Sequence, residues 1–451
     1  MTPAAGAPRA APFVTGSIMR HVVVMTLTGA VGLMALFMVD LVDLFFLSLL
    51  NDTEVTAAIG YAGTIVFSNL SVSIGCGIAA AALVARNVGA GDQARAREYA
   101  TSALMFSLIT SGAITLMIDL GSGSLLSLLG ATGEARRLAQ LFIWTLSPGY
   151  VLIAGAICCS FILRGLGDAR RAMYITLSTA VVTACADPIF IFWLGMGIQG
   201  AAIATVLGYV VSFGIGLHGV VRVHRYINPF RLSGFRRDFP ALWGIAFPAI
   251  LTQLAQPFAN AYITYEIAPF GDESVAGFAI VGRLVPVAFG IIFSLAGSVG
   301  PIIGQNYGAK RHDRVRRTLT DGLLFSAVYT LITSLLLFLF RHDIAEAFNA
   351  AGRSRDLVVF FCTFIGISWA FAGGQFVANA AFNNLGRAAL SSWFNWAKAT
   401  LGTIPFAIMG ARMGGPEGLL AGTAIGSVIF GIASVITAYN IVRRSETGAA
   451  R

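Results

Sequence analysis

The sequence predicts an all-α integral membrane protein, with twelve transmembrane helices in two six-helix lobes related by a pseudo-two-fold axis along the membrane normal. Three observations carry this. The 451-residue chain is 57% hydrophobic and only 11% charged, with a mean hydropathy of +0.79, which leaves too little polar surface for a fold in water. Its apolar residues gather into twelve stretches, each with the roughly 20 residues that a bilayer-spanning helix needs. The second half also repeats the first at an offset of 219 residues: Asn87, Gly89 and Ala90 recur as Asn306, Gly308 and Ala309, and Glu54, Gly63, Arg95 and Arg97 as Glu273, Gly282, Arg314 and Arg316. Leu166-Gly167 recurs as Leu385-Gly386, and after one deleted residue Gly197, Gly200, Thr205 and Gly208 fall on Gly415, Gly418, Thr423 and Gly426. The matched loops fall at matched points in the hydropathy, which chance matches among 51 glycines would not do.

Residues 1–20 are small and Pro/Ala-rich and read as a disordered cytoplasmic tail. Spans are expected at 22–50, 57–85, 99–120, 138–163, 172–194 and 198–221, which form an amino-terminal lobe over 21–225. The first is too long for a signal-peptide core and remains as a helix. The basic stretch RVHRYINPFRLSGFRRDFP marks the lobe boundary, with 226–240 as a cytoplasmic linker. Spans at 241–268, 275–304, 318–340, 357–384, 391–411 and 417–442 form the second lobe over 241–444, and 445–451 is a cytoplasmic tail. Because six is even, both lobes enter the membrane from the same side, which makes them parallel repeats. That arrangement suits alternating access around a cavity between them.

The net charge of +9 does not point to nucleic acid. With the amino terminus in the cytoplasm, 22 of the 30 basic residues lie inside and 6 outside, which satisfies the positive-inside rule with both termini cytoplasmic. Only Arg283 and Lys398 fall within spans. Cys76, Cys158, Cys159, Cys185 and Cys362 all sit in apolar spans as packing residues, without metal-ligand spacing. His21, His218, His224, His312 and His342 fall at span ends or in loops, so no triad or zinc site is expected. NVGAGDQ and NYGAKR lack the Gly-Lys-Ser/Thr ending of a phosphate loop. The chain therefore reads as no enzyme, with no cofactor and no metal, and an ion gradient as its energy source.

Small residues in GCGIAAAAL, GIQGAAIATVLG and GGPEGLLAGTAIG let helices approach where lipid supplies no hydrophobic drive. Pro148, Pro188, Pro248, Pro257, Pro286 and Pro405 interrupt spans, each freeing a backbone carbonyl. An ionisable group within a span costs at least about 2.5 kcal/mol and usually faces the protein interior. Three acids meet this description in the first lobe. Asp40 and Asp43 share a face of the first helix, Asp43 roughly 10 Å outward of mid-span, and Asp187 lies roughly 6 Å outward in the fifth. Two carboxylates close together in a poorly solvated site are not both ionised at neutral pH, so one holds a proton reversibly. Thr183 and Thr205 are placed to hydrogen-bond Asp187, and Pro188 supplies a bend beside it. In the second lobe Asp43 maps onto Tyr262 and Asp40 onto Ala259. That lobe instead carries Glu266, Arg283 and Lys398, with an Arg283–Glu266 pair as one candidate internal lock.

The segment RGLGDARRAMYITLSTAVVTACADPIFIFWLGMGIQGAAIATVLG, from Arg164 to Gly208, resembles the fourth-to-sixth helix signature of the multidrug and toxic compound extrusion (MATE) transporters. LVDLFFLSLL resembles their first helix with its acidic residue, and the paired NxGA loops their repeated Gly-Ala loop. The resemblance covers nearly the whole chain. It implies that Asp43 and Asp187 are the coupling acids and that Thr183 and Thr205 are their polar neighbours, Thr183 standing where many relatives have Asn. One branch of the family uses a seventh-helix acid for sodium coupling, where this chain has Gln256, so the resemblance points to the DinF-like branch and to protons rather than sodium.

The expected protein is thus a monomeric antiporter of the inner (plasma) membrane that exports amphipathic, cationic organic compounds in exchange for protons. The lipid bilayer and small-molecule substrates are its partners, and nucleic acid is not. Proton coupling is expected from Asp43, Asp187 and Asp40; Gln256, Tyr262, Arg283 and Lys398 are candidates for the second-lobe cavity. The alternatives are a flippase for a lipid-linked precursor, sodium-coupled efflux and a passive channel.

Overall fold

A computed structural model describes residues 11–48 and 53–446. In lipid every backbone polar group must be satisfied internally, and the described residues form helices joined by short turns and loops, with no strand among them. The first half comprises α1 (Ile18–Ser48), α2 (Thr53–Gly89), α3 (Gln93–Leu128), α4 (Gly133–Gly165), α5 (Ala169–Pro188) and α6 (Gly197–Leu217). A π-helical turn, Ile189–Trp193, extends α5, and another, His218–Val223, extends α6. The second half comprises α7 (Leu232–Ile267), α8 (Asp272–Gly308), α9 (His312–Leu339), a short α10 (Arg341–Ala347), α11 (Gly352–Phe360), α12 (Trp369–Asn384), α13 (Ala388–Ala397) and α14 (Ile404–Glu446). Single π- and 3-10 turns join α11 to α12, and the π-turn Lys398–Gly402 precedes α14.

Among the described residues, ten helical runs are long and apolar enough to cross a membrane. The last, Ala388–Glu446, is two spans, because Gly414 and Gly415 leave helical geometry and Gly415 takes a positive φ that a Cβ would oppose. The two arms then lie against each other. A Cβ at Gly422 would stand 2.0 Å from the Phe406 carbonyl oxygen, and one at Gly426 only 1.6 Å from that of Gly402. Helix α7 completes the twelve; it is not among those ten and carries Gln253, Gln256, Asn260 and Thr264. The limits of the elements repeat as the sequence does. Thr53–Gly89 recurs 219 residues on as Asp272–Gly308, and Gly133–Gly165 as the span Gly352–Asn384.

The chain divides into two compact units, one built on Val31–Ile250 and the other on Pro12–Ala30 with Leu251–Arg451. The first turns of α1 thus group with the second half, and those of α7 with the first. In the first unit a Cβ at Gly75 of α2 would stand 2.4 Å from Ile250 of α7. In the second, Ser294 of α8, the repeat mate of Gly75, donates to the Thr26 carbonyl of α1 at 2.9 Å.

This exchange revises the reading of the amino-terminal tail and of the linker between the lobes. Residues 11–17 are packed, not loose: Phe13 is buried and its amide donates to Gln305 at 3.0 Å. Asn306 and Arg314 donate to the Phe13 carbonyl at 3.1 and 2.9 Å, and Arg314 also to those of Thr15 and Gly16. The stretch expected as a linker is already helical from Leu232. Its Asp238 is buried, held by Arg95 at 2.7 Å, Ser102 at 2.7 Å and Arg237 at 3.2 Å. Beyond it Phe239, Trp243 and Phe247 stack in sequence along one face of α7.

Four cysteines are buried as expected, but Cys185 is exposed on α5. Asp168 caps α5 through the Arg171 amide at 3.1 Å and accepts from His224 at 2.8 Å. Burial alone would raise the Asp168 carboxyl, yet these bonds and the Arg171 guanidinium outweigh it and hold the group well below the usual carboxylate range.

Candidate functional site

Helix α5 buries a stripe of small residues, Ala172, Thr179, Thr183, Ala186 and Asp187, at helical spacing. Asp187 is 0% exposed. Thr183 lies one turn before it and is also buried, its hydroxyl pressed onto α6 where a Cβ at Gly208 would stand 2.6 Å away. The Thr183 hydroxyl makes no hydrogen bond among the described residues. Thr205 does not reach the carboxylate: it is half-buried and donates to Ala201 of its own helix at 2.9 Å. A free hydroxyl on a helix returns to the carbonyl one turn back unless something nearer accepts it.

Pro188 ends α5 directly after the aspartate, and the backbone loosens into the π-turn, closed by Leu194 N to Ile189 O at 2.9 Å. Helix α6 begins hard against this turn, since a Cβ at Gly200 would stand 2.6 Å from the Phe190 carbonyl oxygen. Phe192 of the turn meets Phe46 of α1 edge-on at 5.9 Å. This contact brings α1 alongside the end of α5 one helical turn from Asp43. Asp40 and Asp43 belong to α1, but their side chains lie outside the described residues.

The second-half candidates are dispersed. Gln256 is exposed and donates to Asn260 at 3.0 Å, continuing a polar stripe with Thr264. Tyr262 donates to Glu266 at 2.7 Å. The Arg283–Glu266 lock is not formed among the described residues, because Tyr262 on the same helix takes the carboxylate while Arg283 stays exposed. Lys398 opens a π-turn and is half-buried, with no ion pair among the described residues. Groups of His, Cys, Asp or Glu able to hold a metal are absent among the described residues.

Two features escaped the sequence reading. A ladder of buried amides joins α12 to α13: Asn395 donates to Asn379 at 3.1 Å, and Ser391 to Asn383 at 3.1 Å, while Gln375 continues the α12 face toward the level of Lys398. The four-residue spacing of Gln375, Asn379 and Asn383 was the available signal. The second is Asp119, which a third span ending at 120 left at the rim; α3 runs on to Leu128, so the acid lies inside the helix.

Twelve apolar helices in two matched halves, with a buried acid beside a proline break, are the plan of a membrane transporter. The chain belongs to the MatE family, whose model matches residues 30–189 and 248–409. It is 28% identical over 423 residues to an FAD transporter of Shewanella oneidensis, covering 92% of this chain and 93% of that protein. It is 23% identical to the multidrug export protein MepA of Staphylococcus haemolyticus, over 78% of this chain and 77% of that one. Among solved structures it resembles the Vibrio cholerae MATE transporter VcmN in the bent form, with a TM-score of 0.88 at 25% identity over 95% of this chain and 98% of that one. An outward-facing multidrug resistance MATE family transporter shares the fold with a TM-score of 0.91 at 23% identity, covering 98% of this chain and 100% of that chain.

Proposed function

We propose that this transporter exports amphipathic organic cations in exchange for protons, with Asp187 and Asp43 of the first half carrying the exchanged proton. The observation that carries the reading is the complete burial of Asp187 at the junction of an α-helix, a proline and a π-turn. A carboxyl shut away from water is costly to charge, so its charge state is coupled to the arrival of water or a cation. The loosened turn supplies a place where the helix end can rearrange as that happens. The polar stripe Gln256, Asn260 and Thr264 of α7 supports a water-accessible path, since lipid does not accept such groups. The distribution of basic residues supports a reading with both termini in the cytoplasm.

Purified protein in liposomes, given an imposed pH gradient and a panel of cationic, anionic and neutral fluorescent compounds, tests this directly. Cationic compounds are expected to accumulate against their gradient. An imposed sodium gradient alone is expected to drive little transport; vigorous sodium-driven accumulation in the same vesicles would overturn proton coupling.

A second reading of the substrate rests on the FAD transporter relative. FAD joins two planar ring systems through a pyrophosphate, and Lys398 beyond the Asn379–Asn395 amide ladder offers a part-buried cation in the second half. If FAD is carried, Lys398→Gln should cut FAD export about tenfold by removing a charge-assisted contact while sparing cationic dyes. Equal FAD export by both proteins would remove Lys398 from the substrate path.

A further inference from the structure

Asp119 is an acid inside a membrane-crossing helix for which the coupling reading has no use. One carboxylate oxygen accepts from the Ser147 hydroxyl of α4, and the other is buried and makes no hydrogen bond among the described residues. Close by on α4 stands Tyr150, 1% exposed, whose hydroxyl is likewise without a hydrogen bond among the described residues. Asp119 and Tyr209 of α6 are its electrostatic neighbours.

These groups belong to a polar seam along the contact of α3 with α4. On α3 it runs through Ser107, Ser111, Thr115, Asp119 and Ser122, successive turns of one face. Toward the end where α3 stops and α4 starts, Ser122 donates to the Asp119 carbonyl at 3.0 Å and receives from Gln140 at 3.3 Å. Arg136 lies one turn beyond, against Gly123. Toward mid-membrane, Ser111 donates to the Tyr150 carbonyl at 3.1 Å and to Asn69 of α2 at 3.2 Å, and Asn69 donates to Thr115 at 3.1 Å.

Small hydroxyls that bridge helices are common membrane glue, and Ser107, Ser111 and Thr115 fill that role. Glue does not account for an ionisable group with a bare buried oxygen beside an unbonded phenol, since each is costly in a membrane unless it has a partner. The second half does without it: Phe338 stands at the repeat position of Asp119.

We propose that the α3–α4 seam is a proton-access path into the first unit, with Asp119 as its exchanging carboxyl, the Ser147 hydroxyl bonded to it and the Tyr150 phenol close by. The groups facing Asp119 are Ser147, Tyr150 and, a turn or more outward, Arg136 from α4; α2 presents the neutral Asn69, and α6 presents Tyr209 beside the phenol. No proton need be created or lost. A proton that leaves Asp119 toward one end of the seam is replaced by one that arrives from the other. The proposal rests on proton coupling and adds the route by which protons arrive.

The test compares wild type, Asp119→Asn, Asp119→Glu and Tyr150→Phe in liposomes, reading pH-gradient-driven dye export against the pH of the side toward which α3 ends. Asn still accepts from Ser147, so the fold is expected to persist. Asp119→Asn is expected to slow proton-driven export about tenfold or more and to flatten its pH profile, while dye binding and gradient-free dye exchange stay unchanged. Asp119→Glu should restore the rate with a displaced profile, and Tyr150→Phe should fall between. Infrared difference spectra between low and high pH should show a protonated-carboxyl band that Asp119→Asn removes. A wild-type protein driven by protons, with an unchanged profile and spectrum in Asp119→Asn, overturns the seam alone. Loss of export together with dye exchange and thermal stability in both Asp119 variants makes the seam structural and equally overturns it. A wild-type protein indifferent to protons brings down the coupling reading and the seam with it.

Discussion

Asp187→Asn is expected to abolish uphill export while leaving the protein folded in the membrane, and Asp43→Asn to do the same. Asn keeps the size and most of the hydrogen-bonding capacity of the aspartate but carries no exchangeable proton. At a site that is 0% exposed, a neutral amide also spares the cost of a buried charge, so the variant should be no less stable than the parent. The expected signature is selective: dye binding and downhill exchange persist, and accumulation against a gradient falls to background. Liposomes that still concentrate dye with both acids neutralised would leave the proton without a carrier. Binding and transport lost together would instead make Asp187 a substrate contact.

Asp238→Ala is expected to cost the first unit about 3 kcal/mol, the usual penalty for removing one member of a buried charge pair. The carboxylate is fully buried and meets Arg95, Arg237 and the Ser102 hydroxyl at once. Its removal strands Arg95, which is only 23% exposed and keeps Glu98 as its other partner at 2.9 Å. Glu98 also binds Arg237 at 2.6 Å, so the network loses its centre and keeps its rim. Thermal unfolding in detergent should fall by several degrees in Asp238→Ala, and much less when Arg95 and Asp238 are removed together, because the stranded charge is then gone. Additive losses in that double-mutant cycle would show that the two residues do not act as a pair. Arg314, the repeat mate of Arg95, holds backbone carbonyls of Phe13, Thr15 and Gly16 in place of a carboxylate.

Hydropathy and repetition made most of the architecture legible. The repeated NxGA loops marked the ends of α2 and α8, and the helix limits recur at the same spacing as the residues. Asp187 and Thr183 could be placed together because a helix converts a separation of four residues into one face. Thr205 could not, since whether a threonine serves a neighbour or its own helix depends on what stands beside it. The third span was drawn short, ending at 120, for a related reason: hydropathy marks where a stretch becomes polar, whereas the helix continues to Leu128 as long as its backbone bonds are made. The amide ladder of α12 and α13 lies at plain helical spacing, but only packing shows that both faces meet.

The sequence by itself determined that this chain lives in a bilayer, as two copies of one six-helix plan with acids in the first copy and none in the matching places of the second. Those properties follow from solvent and periodicity, which are local and additive along a chain. The tertiary structure alone decided that the first turns of α1 and α7 belong to the opposite halves, that Asp238 is buried and not part of a loose linker, and that α3 and α4 share a polar seam. Each depends on which helix faces of distant segments come together, and a single helix does not encode the identity of its neighbour.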